Sequence, residues 1–540
     1  MTADRPTSLF QVLDAQADAL GDRIFLNVDE DAISYAGLRE RSERFAGGLQ
    51  QLGLDRGDRV AVLTENSIEL VITLFACARL GLVLVPLNMY LRGEFLRFQL
   101  AKSGAAAAVV DAPGLEAVRA IERPPSLRHL IVTSAAAADG ELVFDALAQT
   151  PPVTDRVSLS SSDQAAIMFT SGTTGMPKGC VLPHGVFTRW HPVHQEAGYI
   201  LPGDVMITPS PMFHQGFLGA MLTPALWSGA SVYAMRQFRA ATFMATAREV
   251  GATVIYAVGT IGMLLLTQPP GPGDADPGKL RVALLPPMPA ESQRTFEARF
   301  NVPVVADSYG QTEVLVIAMS GLHGPRQPGS AGQPVPQVEV AVVDDNDTIL
   351  PTGKVGEIVV RPRISDTFFS GYWEEPAATL ATWRNLWHHT GDLGRQDEDG
   401  TLWIVDRKKD SVRRRGENVS SVELENAIRM HPSVKEVAVH AVPSDVGDDD
   451  IKACIVLQPD TSLEAAELFE YFKSALPYFA VPRYVEFFAE LPVNAVGRVT
   501  KMALRERGVT ADTVDLETLG MVIGRADRRG TSQPTTPLTD

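Results

Sequence analysis

Cysteine is scarce in this chain. There are three in 540 residues, Cys77, Cys180 and Cys454, and no CxxC pair. An odd, unclustered set excludes a disulfide scaffold and a thiolate zinc site, and fits a reduced intracellular protein. Basic charge is short as well. Lys and Arg total 48 against 65 Asp and Glu, a formal net charge of −17. Such a chain is a poor general binder of nucleic acid or anionic lipid, and an anionic substrate would need a locally basic pocket. Long apolar runs are also missing. The longest window, 71–87, is interrupted by Arg79 and is too short to cross a bilayer. The opening MTADRPTSLF has no basic stretch leading into an apolar run, so no secretory signal is read there. A cytoplasmic protein without a membrane segment is the expectation.

What is present is ordinary globular material: 45% hydrophobic and 21% charged residues, which excludes wholesale disorder. The length gives a prior of about 3–4 domain-sized units and a core that needs no disulfide staple. Helical spacing over 34–52 is followed by the strand-like run 59–63, then by a helical run 66–80 and the strand-like 83–86. Residues 106–110, 130–133 and 165–169 repeat the short apolar signature. Strands separated by helices of this length predict an α/β fold with mostly parallel sheets. From Val338 the texture changes to VEVAVVDD, GEIVVRP and GTLWIVDR, a smaller β-rich lobe. Beyond Asp410 comes the basic run Arg413 to Arg415, a helix over SSVELENAIRM with Ser420 as its expected cap, and then strand, strand, helix. The spacing divides the chain into a large N-terminal domain, 1–409, a small α+β C-terminal domain, 410–515, and a polar tail, 516–540, expected to be disordered.

The segment IMFTSGTTGMPKGCVLP carries the most chemistry. An apolar strand runs into Thr170-Ser171-Gly172-Thr173-Thr174-Gly175, and Lys178 follows. Glycines free the backbone to present N–H groups, while four hydroxyls and an ammonium offer donors at one place, a set suited to polyphosphate. The order does not fit GxxxxGK[ST], because no Ser or Thr follows the lysine and its glycine. His191-x-x-His194 with Cys180 lacks a second ligand pair, so no zinc site is expected there. There is no GxSxG nucleophile elbow.

TSGTTGMPKG resembles the phosphate-binding signature of the adenylate-forming superfamily, which includes acyl-CoA synthetases, adenylation domains and luciferases. Three further segments agree in order: YGQTE at 309–313, TGD at 390–392 and DRKKD at 406–410 running into RRRGENVSSVELE. RKKDSVRRRGEN and ALPYFAVPRYVEF resemble the crotonobetaine/carnitine-CoA-ligase-like branch, and the likeness extends from about 8 to about 507. The resemblance implies that Thr170, Ser171, Gly172, Thr173, Thr174 and Lys178 hold the phosphates of ATP. It implies that Tyr309 and Gln311 flank the nucleotide, that Thr312 meets the α-phosphate and that Glu313 binds Mg2+. Asp392 would take the ribose hydroxyls with Arg407 nearby. Asp410 would be the hinge of a mobile C-terminal domain, and Gly416 and Glu417 would face CoA. His214, within Phe213-His214-Gln215-Gly216, is expected in the acyl pocket together with Tyr256, Gly259 and Leu284. Taken singly, Glu313 or Asp392 reads as a solvated carboxylate; the ordered set gives each its role.

Two departures stand out. The family places a lysine near the C-terminus that bridges the substrate carboxylate and the α-phosphate. LPVNAVGRVTK has Arg498 there, a planar fork in place of a point charge. Arg498 would serve as the catalytic cation, or Lys501 would substitute, or the first step is altered. Leu284-Leu285-Pro286-Pro287 replaces a glycine-rich turn with bulk and fixed backbone, which should narrow the pocket and favour a short or flat aromatic acid. The leading expectation is an ATP-dependent acyl-CoA synthetase using a small carboxylic acid, Mg2+ and CoA. A nitrite-dependent diazotase of aromatic amines in secondary metabolism, and a nucleotide-binding protein without turnover, remain alternatives.

Overall fold

Short apolar runs and capped helices alternate through the first three hundred residues and fold as crossover units. The computed structural model describes residues 6–524 apart from 134–137, 139, 154–156, 171–175, 325, 408–410, 415–416, 445–446, 493–498 and 500. Ser34 Oγ accepts from the Gly37 N–H at 3.0 Å ahead of the helix Tyr35–Gln51. Ser67 Oγ accepts from the Leu70 N–H at 3.2 Å ahead of Ile68–Leu80. Each hydroxyl satisfies a donor that the first helical turn leaves open. Arg79, which breaks the longest apolar window, lies buried with its guanidinium 2.5 Å from Asp14 Oδ1. Pairing is what makes a buried charge tolerable there.

Two large sheets result. In one, Gln164–Thr170, Val83–Pro86, Arg59–Leu63, Ala107–Val110, His129–Val132 and Leu142–Val143 run parallel, and Lys178–Pro183 and Gly371–Tyr372 add antiparallel strands at one edge. In the other, Val304–Val305, Val282–Leu284, Val254–Tyr256, Val205–Thr208, Ser231–Ala234 and Ile24–Val28 run parallel, closed by antiparallel Asp31–Ser34. The β-rich lobe is an antiparallel sheet of Val338–Val343, Gly356–Pro362, Trp387–Gln396, Trp383–Arg384 and Leu402–Arg407. The α/β expectation with mostly parallel sheets and a β lobe therefore holds.

The C-terminal part has its own core. A ribbon of Ser411–Arg414 and Glu417–Ser420 leads to the helix Ser421–Arg429 and a four-stranded sheet, Val434–Pro443, Asp449–Leu457, Tyr484–Phe487 and Val514–Asp515. Its buried cluster runs from Val412 to Leu516. Order continues beyond the expected start of the tail at 516. Leu516 is buried, its N–H donates to the Arg483 carbonyl at 2.9 Å, and Met521 and Ile523 pack on the same cluster. Leu516, Met521 and Ile523 of LETLGMVI pack on this core, which the polarity of the following stretch obscured. Residues 525–540 lie outside the described residues.

Burial pushes His184 and His194 down to about 4 and His388 down to about 3. An unfolded imidazole titrates near its ordinary value of about 6.5. The unfolded chain therefore binds more protons between roughly pH 6.5 and 4, so this contribution is fully present above that window and is lost as pH falls through it. At pH 5, unfolding should take up about three protons through these histidines alone. Stability curves measured against pH would show this as a steep acid limb, and a flat profile from pH 7 to pH 4.5 would contradict it.

Candidate active site

A cleft of about 1730 Å3 is lined by both large sheets, the β lobe and the C-terminal part. Three of its walls are the last residues of neighbouring parallel strands, Tyr256, Leu284 and Val305. Ligands of open α/β sheets bind outside such carboxyl ends.

On one side, Thr170 and Lys178 close the antiparallel pair Gln164–Thr170 and Lys178–Pro183, facing each other in register. Ser171, Gly172, Thr173 and Thr174 lie outside the described residues. Lys178 Nζ sits 5.1 Å from the ring centroid of Tyr372, a cation–π distance. Tyr372 Oη donates to Glu313 Oε1 at 2.8 Å. Burial, with the Glu313 carboxylate second, pushes the phenol well above its usual range, so it remains a donor. Tyr372 is carried to this place by register with Cys180 on the lysine's own strand. Sequence reasoning missed it, because a two-residue strand leaves no periodic signal; the GYW triplet was the available cue.

The YGQTE segment follows the short strand Ser308–Tyr309 and turns sharply. A Cβ on Gly310 would stand 1.8 Å from the Leu315 carbonyl oxygen, so only glycine allows this turn. The turn presents Thr312 and Glu313 to the cleft and sends Tyr309 and Gln311 towards the TGD segment. Tyr309 Oη donates to Asp392 Oδ2 at 2.5 Å, and Gln311 Nε2 donates to the same oxygen at 2.8 Å and to the Thr390 carbonyl at 2.9 Å. Asp392 lies on the strand Trp387–Gln396, directly across from Arg407 in the backbone register. Gly391, with φ of +73°, turns the chain just before it. The two motifs, some eighty residues apart, are thus one hydrogen-bonded unit.

The third wall brings in the C-terminal part. His214 Nε2 lies 2.9 Å from Glu417 Oε1, and Glu417 is largely buried. Arg413, Ser421, Tyr478 and Lys501 line the same cleft. Lys501 Nζ is engaged within its own part of the chain, 2.6 Å from Glu425 Oε1 and 2.7 Å from Ser421 Oγ. Asp410, Gly416 and Arg498 lie outside the described residues.

The expected acyl end is assembled only in part as anticipated. Tyr256 and Leu284 line the cleft with Pro286 and Pro287. Leu285 points the other way, into a core with Met288 and Ile255, so one of the four substituting residues never reaches the pocket. Gly259 is not a wall residue. A Cβ there would stand 1.7 Å from the Pro287 carbonyl oxygen, so this glycine lets the helix Gly259–Leu266 pack behind the proline turn. His191 is stacked on Trp227 at 4.0 Å and 6°, an aromatic contact within the fold.

Mg2+ takes near-octahedral oxygen coordination, commonly from one or two carboxylates with substrate phosphates supplying the rest. Glu313, with one oxygen already held by the Tyr372 whose ring Lys178 approaches, fits that sparse protein contribution. No cluster of three or more potential ligands exists among the described residues, so a dedicated protein cage does not. No helix among them is long and apolar enough to cross a membrane.

The AMP-binding enzyme family matches residues 13–373, and the AMP-binding enzyme C-terminal domain matches residues 423–498. A crotonobetaine/carnitine–CoA ligase of Salmonella paratyphi A is 33% identical over 522 residues, covering 92% of this chain and 99% of the relative. Among solved structures, a double mutant of o-succinylbenzoate CoA synthetase from Bacillus subtilis, bound to its product analogue, superposes with a TM-score of 0.80 at 26% identity, covering 92% of this chain and 98% of the other. An anthranilate CoA ligase in complex with anthranoyl-AMP gives a TM-score of 0.70 at 25% identity, covering 93% and 98%. With family matches on both parts of the chain and a relative aligned almost end to end, the chain belongs to the AMP-binding, adenylate-forming enzymes, in their CoA-ligase branch.

Proposed function

We propose that this enzyme is an ATP-dependent acyl-CoA synthetase acting on a short or aromatic carboxylic acid, with an N-terminal domain, 1–409, and a C-terminal domain that begins at 410 and extends through Ile523. The observation that carries the reading is the hydrogen bond between Glu417 and His214. It brings the C-terminal part against the same cleft that holds Lys178, Glu313 and Asp392. A single-step nucleotide binder has no need of that second wall.

In the first step a carboxylate oxygen of the acid attacks the α-phosphorus of ATP. The bond to the bridging oxygen of the β-phosphate breaks, and pyrophosphate leaves. Negative charge gathers at the α-phosphate, so the protein's task is positioning and charge stabilisation. Thr170, Ser171, Gly172, Thr173, Thr174 and Lys178 bind the outgoing phosphates, and Thr312 meets the α-phosphate. Asp392 accepts the ribose hydroxyls, with Arg407 beside it. The Tyr309 hydroxyl and the Gln311 amide keep the carboxylate oriented. Glu313 holds Mg2+, which when bound neutralises phosphate charge. Arg498 meets the substrate carboxylate during this step. In the second step the CoA sulfur attacks the acyl carbonyl, AMP departs, and the thiol proton passes to solvent. Asp410 is the hinge between the steps, and Gly416 and Glu417 lie on the thioester-forming face. A movement that completes a second active site is a known use of domain closure.

The aromatic part of the substrate reading is supported by the acids named for two of the structural relatives, o-succinylbenzoate and anthranilate. Leu284, Pro286 and Pro287 also line the cleft with apolar side chains. The test is pyrophosphate release from Mg-ATP across short, aromatic and long-chain acids, plus nitrite with aromatic amines, each with and without CoA. Release dependent on one acid, with an acyl-CoA mass when CoA is added, is the expected result. Release driven by nitrite and indifferent to CoA would replace this reading with the diazotising one. ATP binding without release in any arm would leave a binding protein.

A further inference from the structure

Gln215 lines the cleft and is only 6% exposed, yet neither its Nε2 nor its Oε1 has a hydrogen-bond partner among the described residues. Buried side-chain amides are paired in the great majority of folded proteins, and an unpaired one calls for a reason. The local backbone makes room for it. The chain enters the short helix Gln215–Phe217 and then widens into a π-helical turn, Leu218–Leu222. Such turns recur at functional sites, where they re-aim side chains. Gly219 lies under the amide: a Cβ there would come within 2.7 Å of Gln215 Nε2 and 2.9 Å of Leu315 Cδ1. The glycine thus preserves a slot between the amide and an apolar wall. His388, in the cleft lining, also has no hydrogen-bond partner among the described residues, but its ring packs edge-on to Phe369 at 5.3 Å, within an aromatic cluster that accounts for its place.

An amide offers a donor and an acceptor together. The wall across the slot, Leu315, is apolar, and a neutral amide brings no charge of its own to compensate one on a ligand. We infer that Gln215 is a specificity-determining residue that reads a neutral substituent able both to donate and to accept, a hydroxyl or a carboxamide, on the acid being activated. The inference rests on the acyl-CoA synthetase reading and narrows it. The substrate is an acid whose body lies against apolar walls and whose hydroxyl or carboxamide completes the pairing of Gln215.

The experiment compares matched acids in which a methyl replaces a hydroxyl. These are hydroxybenzoates against methylbenzoates at each ring position, and 3-hydroxybutyrate against 3-methylbutanoate. Pyrophosphate release gives kcat/KM for each, with wild type, Gln215→Leu and Gln215→Met. Wild type should favour the hydroxyl member of its best pair by at least about tenfold, because a site built to pair a polar group rejects the analogue lacking it. Both variants should bring that ratio to about one or invert it. Their melting temperatures should match or exceed that of wild type, since no protein partner is lost. A hydroxyl preference that survives in both variants, or a wild-type preference for the methyl members, overturns the inference. So does a melting temperature lowered by more than about 5 °C in both, which would mark a structural role. If acids are turned over but no pair is discriminated, only the role of Gln215 falls. If no acid releases pyrophosphate, the synthetase reading falls and takes this inference with it.

Discussion

Arg498→Ala is expected to lower acid-dependent pyrophosphate release by roughly a hundredfold to a thousandfold, the loss typical when one charge-stabilising group is removed from a transition state. Thioester formation from supplied acyl adenylate and CoA should stay within about threefold of wild type, because Arg498 is assigned to the first step and the turned C-terminal part presents Gly416 and Glu417 in the second. The structure bears on the choice between Arg498 and Lys501. Lys501 Nζ is held at 2.6 Å by Glu425 and at 2.7 Å by Ser421. Acting on the phosphate would require breaking a close ion pair within its own part of the chain. Arg498→Lys should retain most of the activity if a cation is what matters, and should lose it if the planar fork is required. Full pyrophosphate release in Arg498→Ala, with loss in Lys501→Ala, would transfer the role to the lysine.

Asp392→Ala should lower kcat/KM for ATP by about a hundredfold or more, since hydrogen bonds to a charged group contribute about 1.5–3 kcal/mol each and two ribose hydroxyls are at stake. The substitution also removes the acceptor shared by Tyr309 Oη and Gln311 Nε2. A stability loss of about 1–3 kcal/mol should therefore accompany it. Asp392→Asn, which keeps an acceptor oxygen, should retain more of the stability than of the activity. Steady-state kinetics with varied ATP and a denaturant titration on the same preparations separate the two effects. A fall of less than about threefold in kcat/KM for ATP would remove Asp392 from the nucleotide site.

Part of this cleft was legible in the sequence, for a physical reason. YGQTE and TGD are short segments whose glycines and turns fix local backbone, so their chemistry can be read in a few adjacent residues; residues 171–175 of the expected phosphate loop lie outside the described residues. Gly310 shows how tight that coding is, with no space for a side chain against the Leu315 carbonyl. Tyr372 was not legible, because its position depends on a two-residue strand pairing with a strand almost two hundred residues earlier. The place of Leu285 in the core was hidden for a related reason. Whether a residue at a strand end faces the cleft or the core depends on the pleat, and the four-residue run 284–287 is too short to reveal it. The unpaired amide of Gln215 could not be read at all, since hydrogen-bond satisfaction exists only once the neighbours are in place. The fold class was easier, because strand and helix lengths repeat across several hundred residues.

The three cysteines have a practical consequence. Cys77, Cys180 and Cys454 are all buried, and burial pushes each thiol upward, Cys454 to about 12. Thiolates are scarce on such residues at neutral pH, so maleimide reagents should find little to attack in the native enzyme. The unmodified sequence is therefore already a nearly silent background for dye attachment. Cysteines introduced at two exposed positions, Leu386 in the β lobe and Met430 after the first C-terminal helix, would carry a donor and an acceptor fluorophore. Single-molecule energy transfer between them would report directly whether the part of the chain bearing Glu417 travels during a turnover, and how long it waits at each station.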